Sequence, residues 1–236
     1  MSPLAGQKVA VVGLAASGRA AARLAHQLGA DVVGLDRNEQ AEPIEGVRLQ
    51  LGAHDVDELL SADLIIVSPG VPARIAPLAA AAEAGVALIS ELGFAARYGT
   101  APVVAITGTN GKSTVTWLTH QLLEAAGQRT FVGGNLGQPV SEAVGSNADV
   151  WVVEVSSYQL ELPGDLHPRV AAILNLTPDH LARHGTMEGY AAAKADLLRH
   201  QTADDWALLP CDSPLIDAAV ARYPAPRRAR LGGAPG

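Results

Sequence analysis

Residues 101–114 read APVVAITGTNGKST, in which an apolar run leads into a glycine-rich turn that ends in a lysine and two hydroxyl residues. Backbone N–H groups of such a turn, and of the helix it opens, bind phosphate oxygens, while the lysine and a hydroxyl reach the terminal phosphates and Mg²⁺. The general P-loop pattern requires a glycine five positions before Gly111, where this chain has Ile106. We nevertheless predict an ATP site, formed by Gly108, Thr109, Asn110, Gly111, Lys112, Ser113 and Thr114.

A carboxylate interrupts one of the most apolar segments of the chain. Residues 150–153 read VWVV, and Glu154 follows them directly. An isolated buried charge is very costly, so a carboxylate inside such a strand must be paired, protonated or bound to a metal. A solvated position at the end of the strand is the alternative. We predict that Glu154 is a metal ligand.

His180 closes the segment NLTPDH at residues 175–180, which follows a predicted strand over 170–175. Ligands of open α/β sheets bind beyond the carboxyl ends of parallel strands, where the turn that contains Ser113 also lies. We therefore predict that His180 binds Mg²⁺ or a water of its shell. An ordinary surface histidine is the alternative.

Lys194 falls within the apolar stripe of a helix predicted over 187–200. Burial lowers the pKa of a lysine and favours the neutral amine. A neutral amine can take up CO₂ as a carbamate, whose oxygens suit Mg²⁺. The alternative is that the long side chain extends along the surface to reach water.

Strands and helices alternate along the chain, which predicts an α/β protein with parallel sheets. Over residues 7–92 we predict strands at 8–14, 31–36, 47–51, 64–67 and 86–89, with helices at 17–28, 56–60 and 75–84. This series is typical of a small Rossmann-like domain. After a linking segment at 91–100, a second series has strands at 103–107, 130–132, 150–155, 170–175 and 206–209, with helices starting near Lys112, Pro139, Met187 and Ser213.

The first turn, GLAASG at residues 13–18, resembles a dinucleotide-binding turn, and Asp36 lies where an acidic residue meets a ribose hydroxyl. However, Ala15 replaces the middle glycine of that motif, which obstructs close approach of a pyrophosphate. The turn therefore indicates a nucleotide site but only weakly favours NAD. In the alternative interpretation, Asp36 caps a strand and residues 68–70 form an ordinary turn.

Composition excludes several classes of protein. The formal net charge of -7 argues against a nucleic-acid partner, because phosphate neutralisation needs clustered Lys and Arg. The single cysteine, Cys211, excludes an internal disulfide framework and is typical of a cytoplasmic protein. No run approaches the ~20 apolar residues of a membrane span, and residues 9–16 are too short and too broken for a signal peptide. We expect a cytoplasmic monomer.

Five short motifs resemble those of the Mur ligases, the ATP-dependent amide ligases of peptidoglycan synthesis. They are GTNGKST at 108–114, GGNLG at 133–137, EVSSYQLE at 154–161, TPDH at 177–180 and YAAAK at 190–194. The resemblance covers nearly the whole chain. Ser113-Thr114 resembles the branch that adds D-glutamate, because other branches usually have different residues there.

The resemblance also implies roles for individual residues. The UDP part of the substrate would contact Ala16, Ser17, Asp36, Arg37, Ser68 and Gly70, and its muramoyl part would be oriented by Asn135 and Ser156. The β- and γ-phosphates of ATP would be held by Lys112 and the loop amides. The metal ligands would be Ser113, Glu154, His180 and a carbamylated Lys194, and the expected catalytic set is Lys112, Asn135, Glu154, His180 and Lys194.

The activity that the resemblance implies is the addition of D-glutamate to UDP-N-acetylmuramoyl-L-alanine through an acyl phosphate. The implied domains are a Rossmann-like UDP-binding domain over 1–92 and an incomplete ATP-binding domain of the P-loop type over 93–236, with the third, C-terminal ligase domain of the family absent. We therefore expect weak nucleotide binding and little or no turnover by this polypeptide. The competing classes are a nicotinamide-dependent oxidoreductase and a nucleotide-binding regulatory module without catalysis.

Overall fold

The fold is described from a computed structural model of the chain, which describes residues 2–53 and 55–232. The structure does not describe Met1, His54 or residues 233–236, although the predicted domains over 1–92 and 93–236 include them. The described residues form two parallel sheets, one of five strands and one of six. Both sheets confirm the predicted α/β class.

The first domain is a five-stranded parallel sheet with helices on both faces. Its strands are β1 (Lys8–Val12), β2 (Asp31–Asp36), β3 (Val47–Leu51), β4 (Leu64–Val67) and β5 (Ala87–Ser90), and its helices are α1 (Ala16–Gln27), α2 (Val56–Leu60) and α3 (Ala76–Glu83). In the strand order β3-β2-β1-β4-β5, β2 and β3 are added on one side of β1, and β4 and β5 on the other, so the strand order reverses between β1 and β4 while all strands stay parallel. Ligands of such sheets bind at this reversal, beside the carboxyl ends of the two strands.

A helix that the sequence did not predict joins the two sheets. Helix α4 (Glu91–Tyr98) occupies the predicted linking segment at 91–100, and the predicted domain boundary at 92/93 falls within it. The Ser90 hydroxyl accepts a hydrogen bond from Gly93 N at 3.1 Å and caps the helix. Leu92, Phe94 and Ala95 are buried in the cores of the two domains, so the helix is part of the packing.

The second domain is a six-stranded parallel sheet. Its strands are β6 (Val103–Thr107), β7 (Thr130–Gly134), β8 (Val150–Glu154), β9 (Val170–Ile173), β10 (Trp206–Pro210) and β11 (Arg227–Leu231), and its helices are α5 (Lys112–Ala125), α6 (Leu181–His184), α7 (Met187–Ala195) and α8 (Pro214–Val220). The order β11-β10-β9-β6-β8-β7 places β6 in the interior between β8 and β9. The turns that follow these three strands therefore meet at one edge of the sheet.

Several predicted elements differ in the structure. The first strand ends at Val12, because Gly13 turns the chain with a φ of 87°. The helix predicted near Pro139 is a single 3₁₀ turn, Val140–Ala143, and the helix predicted over 187–200 ends at Ala195 and is followed by a 3₁₀ turn, Asp196–Leu198. Strand β11 was not predicted, because its sequence RRARL is an exposed edge strand without an apolar run.

The two faces of the second sheet are covered unequally. One face packs a large cluster of buried residues that includes Trp151, Leu197 and Leu209. On the opposite face, the hydrophobic cluster of the described residues contains three buried side chains, Ile106, Val152 and Ala172, with partly buried residues of α5 packed against them. Trp117 and Leu122 on α5 are 49% and 71% exposed, respectively. None of the helices in the described parts of the chain is both long and apolar enough to cross a membrane.

Candidate functional site

The glycine-rich turn lies between β6 and α5, as the sequence predicts. Gly111 has a φ of 80°, which glycine adopts without strain, and α5 begins directly after it with no side chain capping its first turn. The first N–H groups of a helix have no intrahelical partner and carry the positive end of the helix dipole, so this turn suits an anion. The Lys112 amine donates to the Thr109 carbonyl at 2.9 Å. Ser113 and Thr114 are exposed in the first turn of α5.

Asn175, which was not among the predicted site residues, holds the turn from the neighbouring strand. Its Oδ1 accepts from Thr109 N at 3.1 Å and from Asn110 N at 2.9 Å. Its Nδ2 donates to the Asn110 carbonyl at 2.9 Å. The Asn175 side chain thus forms hydrogen bonds with three backbone groups of the turn, none of which is paired within a helix or a strand. Its position two residues after the end of β9, at the same edge as the turn, is the signal that would have identified it.

Glu154 is a buried carboxylate at the end of β8, beside the turn that follows β6, and is 2% exposed. One oxygen accepts from the Ser113 hydroxyl at 2.7 Å, and the other accepts from Asn135 Nδ2, also at 2.7 Å. The structure therefore excludes the alternative of a solvated strand end. Mg²⁺ prefers carboxylate and hydroxyl oxygens and usually takes only one or two carboxylates beside substrate phosphates. The paired oxygens of Ser113 and Glu154 fit such an ion.

Lys194 is 1% exposed, so the alternative in which it extends to water is wrong. Its amine donates to the Gly108 carbonyl at 2.8 Å and lies 4.4 Å from the centre of the Tyr190 ring. Burial lowers the pKa of this amine to about 7, and the charge of Lys112 acts in the same direction. Lys194 therefore lies against the phosphate turn with a substantial neutral fraction near neutral pH.

His180 lies at the outer side of the same edge and has a φ of 53°. Its Nδ1 is 3.1 Å from the Tyr158 hydroxyl, and its side chain is 44% exposed. Its ring meets that of Tyr190 edge to face, and the Tyr190 hydroxyl lies 3.4 Å from Thr109 Oγ1. His180 is thus connected to the turn through Tyr190. Among residues 2–53 and 55–232, no three His, Cys, Asp or Glu side chains group as a metal cage.

The predicted substrate residues line a cleft between the two domains. A cavity of about 370 Å³ is bounded by Gly13, Ala15, Ala16, Ser17, Asp36, Ser68, Pro69, Gly70 and Val71 from the first domain, and by Gly134, Asn135 and Gln159 from the second. Arg37 lines an adjoining cavity of about 460 Å³ that shares Gly70 and Val71. Ser156, which was also predicted to contact the substrate, is not among the residues that line these cavities; its hydroxyl donates at 2.9 Å to Oε1 of Gln159, which does line the cleft.

The first turn is held closed by tight contacts at the strand-order reversal. The Ser68 hydroxyl donates to the Gly13 carbonyl at 2.6 Å, and a Cβ on Gly18 would lie 1.7 Å from that same carbonyl oxygen. Asp36 accepts from Leu14 N at 2.5 Å and from Asn38 N at 2.8 Å. Asp36 therefore orders the backbone of the turn as well as lining the cleft.

Two predicted groups of residues thus meet through a continuous set of contacts. Ser113 lies in the phosphate turn and Asn135 lies in the interdomain cleft, and both bind the same carboxylate. Residues 106–227 match the family model of the Mur ligase middle domain, and residues 7–90 match that of the Mur ligase MurD-like N-terminal domain. The chain belongs to the Mur ligase family.

Curated relatives of this Mur ligase chain come from several bacteria. It is 45% identical over 226 residues to the UDP-N-acetylmuramoylalanine–D-glutamate ligase of Geotalea daltonii, with 92% of this chain and 50% of the relative aligned. It is 44% identical to the ligase of the same name from Geotalea uraniireducens, over 94% and 51% of the two chains. The chain spans about half the length of the curated relatives it matches.

Solved Mur ligase structures share the fold. The UDP-N-acetylmuramate:L-alanyl-gamma-D-glutamyl-meso-diaminopimelate ligase from Neisseria meningitides superposes with a TM-score of 0.60 and 17% sequence identity, covering 96% of this chain and 78% of that one. At this identity the comparison concerns the fold alone. Family membership gives no support to the nicotinamide-dependent oxidoreductase or to the non-catalytic module that the sequence left open.

Proposed function

We propose that this chain provides the UDP-substrate site and the ATP site of a ligase that adds D-glutamate to UDP-N-acetylmuramoyl-L-alanine. The observation that carries the proposal is that one carboxylate, Glu154, joins the two sites. It accepts a hydrogen bond at 2.7 Å from Ser113 of the phosphate turn and another at 2.7 Å from Asn135 of the interdomain cleft. With both ligands bound, this contact would bring a terminal phosphate close to a substrate carboxylate. The curated relatives that carry the D-glutamate name support the choice within the family.

In the ATP half of the site, the chain positions phosphates and neutralises their charge. The amides of the turn and the first turn of α5 would bind the phosphate oxygens, and Lys112 would exchange its contact with the Thr109 carbonyl for the β- and γ-phosphates. Ser113 and Glu154 would hold Mg²⁺, which when bound supplies positive charge to the transferring phosphoryl group. Asn175 would keep the turn in the conformation that presents its amides.

Lys194 and His180 would complete the site on its outer side. The lowered pKa of Lys194 leaves a neutral amine available for reaction with CO₂, and we propose that the resulting carbamate serves as an anionic oxygen ligand for a second Mg²⁺. Its contact with the Gly108 carbonyl supports this role, because Gly108 belongs to the turn that would bind ATP. His180 would hold the same ion or a water bound to it.

In the substrate half of the site, the chain orients a carboxylate for phosphorylation. The cleft residues of the first domain, with Arg37 beside them, would bind the UDP part. Asn135 reaches from the same cleft to Glu154, so it would align the L-alanyl carboxylate with the γ-phosphate. That carboxylate attacks the γ-phosphate and releases ADP, and the amine of D-glutamate then displaces phosphate from the acyl phosphate.

The test is phosphate release from the protein as its gene encodes it, with ATP, UDP-N-acetylmuramoyl-L-alanine and one amino acid at a time. We expect release that requires D-glutamate and all other components. Release with L-lysine or meso-diaminopimelate in place of D-glutamate would contradict the assignment within the family. Binding of UDP-N-acetylmuramoyl-L-alanine to the 236-residue chain, measured by calorimetry, tests the substrate cleft separately.

We also propose that the protein acts in the cytoplasm as a monomer. With one cysteine, Cys211, this sequence forms no internal disulfide, which is usual for proteins of a reducing compartment. Size-exclusion chromatography with light scattering checks the oligomeric state, and a stable dimer at micromolar concentration would contradict it.

A further inference from the structure

A second buried glutamate lies at the junction of the two domains and has no role in the site described above. Glu91 is the first residue of α4 and is 1% exposed. Its Oε1 accepts a hydrogen bond from Ser141 N at 2.5 Å. Its Oε2 and the Ser141 hydroxyl are both buried without a partner in the described structure. A fold that buries a carboxyl and a hydroxyl together incurs a cost that calls for a compensating role.

Ser141 belongs to the 3₁₀ turn that ends the segment over residues 135–144. At its start, this segment is held by the other buried glutamate, because Asn135 donates to the Glu154 carbonyl and to its side chain. Near its middle, the Gln138 carbonyl accepts from Gly134 N at 2.8 Å. Toward its end, the contact with Glu91 fixes Ser141. The segment that presents Asn135 to the cleft is therefore anchored by a glutamate at each end.

The 3₁₀ turn is also where the second domain meets the first. It packs against α4 and against α1, the helix that follows the first turn of the substrate cleft. On its other side, the start of α4 is tightly clamped, since Ser90 N donates to the Leu162 carbonyl at 2.9 Å and a Cβ on Gly93 would lie 2.5 Å from the Pro163 carbonyl. A displacement at Glu91 would therefore move the turn and not the start of the helix.

We propose that Glu91 is a positioning residue that holds the 135–144 segment, and with it Asn135, against the cleft between the two domains. This role rests on the proposed function only in that Asn135 is taken to orient the substrate. The contact between Glu91 and Ser141 holds the segment in the protein without ligand as well. Burial of Glu91 in the closed segment favours the neutral acid, whereas the hydrogen bond from Ser141 N favours the carboxylate, and the effect of burial is the larger of the two.

The charged groups around Glu91 are few. Burial raises the pKa of Glu91 to about 7 against the lowering effect of the hydrogen bond from Ser141, and the charge of Glu142, an exposed residue of the 3₁₀ turn, adds to the rise. Arg23 of α1 lines the cavity next to Ser141, while Arg19 and His26 of the same helix contact the 42–46 segment instead. Strands β4 and β5, which also pack against α4, carry no titratable side chain.

The test is hydrogen–deuterium exchange of the 236-residue chain without ligand, read in peptides that cover residues 133–144. Glu91→Ala leaves the buried N–H of Ser141 unpaired, so we expect exchange in this segment to rise roughly 10- to 100-fold. Peptides from β1 and β2 should not change. An unchanged 133–144 segment, or an equal rise in all peptides, would overturn the proposal.

A second variant decides the question even if Glu91→Ala does not fold. In the native chain, ionisation of Glu91 should raise the opening of the segment about tenfold between pH 6 and 8, after correction for the intrinsic exchange rate. Glu91→Gln keeps an acceptor for Ser141 N and cannot ionise, so it should remove this dependence. The matched control is Glu142→Gln on the exposed side of the same turn, which should retain the dependence with a lower midpoint, because the charge of Glu142 raises the pKa of Glu91.

Equal pH dependence in the native chain and in Glu91→Gln would overturn the proposal. The exchange measurement needs no substrate. If the native chain fails to bind UDP-N-acetylmuramoyl-L-alanine, the proposed function is contradicted while the result for Glu91 stands.

Discussion

Replacing Asn175 by alanine should disorder the phosphate turn without unfolding the domain. The side chain of Asn175 accepts from two consecutive amides, Thr109 N and Asn110 N, and donates to the Asn110 carbonyl. The backbone carbonyl of Asn175 also accepts from Thr109 N at 3.2 Å, and alanine keeps that contact. The substitution therefore removes every side-chain contact of Asn175 with the turn and keeps the backbone contact.

The size of the effect follows from these hydrogen bonds. Each intramolecular hydrogen bond contributes a net ~1 kcal/mol to stability. The bond to Thr109 N counts only in part, because that N–H keeps its contact with the Asn175 carbonyl. The substitution should therefore destabilise the ordered conformation of the turn by about 2 kcal/mol. ATP must then restore that order when it binds. Because ~1.4 kcal/mol is tenfold in affinity, we expect the dissociation constant of Mg-ATP to rise roughly 30-fold.

Calorimetric titration of Mg-ATP into the native and variant chains measures this change. The matched control is Asn147→Ala, an exposed asparagine in a loop of the same domain, which should leave the affinity unchanged. Asn175→Asp retains an acceptor for the two amides, but it loses the donor and adds a negative charge near the phosphates. We expect it to bind at least as weakly as the alanine variant.

An affinity of Asn175→Ala within threefold of the native value would refute the reasoning, because the turn would then be ordered without its clamp. Tighter binding by the aspartate variant than by the alanine variant would refute the account of the donor and the charge. Urea unfolding of each variant separates a local effect on the turn from a loss of global stability.

Three further outcomes are expected. Burial raises the pKa of Glu91 from 4.5 to about 7, so its stabilising protonated form is fully present below pH 4.5 and is lost as the pH rises through 7; urea unfolding should show ~3 kcal/mol of pH-dependent stability that Glu91→Gln lacks. Ser113→Ala should weaken the magnesium-dependent part of ATP binding roughly tenfold, since one oxygen of the pair is lost, and titrations with and without Mg²⁺ check this. A Cβ on Gly18 would lie 1.7 Å from the Gly13 carbonyl oxygen, so Gly18→Ala should destabilise the first domain by ~3 kcal/mol, whereas Gly70→Ala, with nothing within 4 Å of the added atom, should change the free energy of unfolding by less than ~0.5 kcal/mol.

Local sequence patterns were sufficient for most of the fold. The strands at 31–36, 47–51, 64–67 and 103–107 have the predicted bounds, because each is an alternating or apolar run closed by glycine, proline or polar residues. Helix α5 begins at Lys112 as predicted, since Gly111 supplies the positive φ that starts it. Strand β11 and helix α4 were missed, because their positions depend on the parallel partner β10 and on the packing of both domains, respectively.

The sequence by itself determined which groups we propose for the chemistry. The phosphate turn, a carboxylate in an apolar strand and a lysine in an apolar stripe are each visible in a local pattern, because the cost of burying a charge makes such residues stand out. Only the tertiary structure decided which of them meet. Ser113 and Asn135 reach the same carboxylate because β8 lies between β6 and β7 in the sheet, and Asn175 holds the turn because β9 lies on the other side of β6. The order of strands is set by long-range packing, so no local pattern contains it.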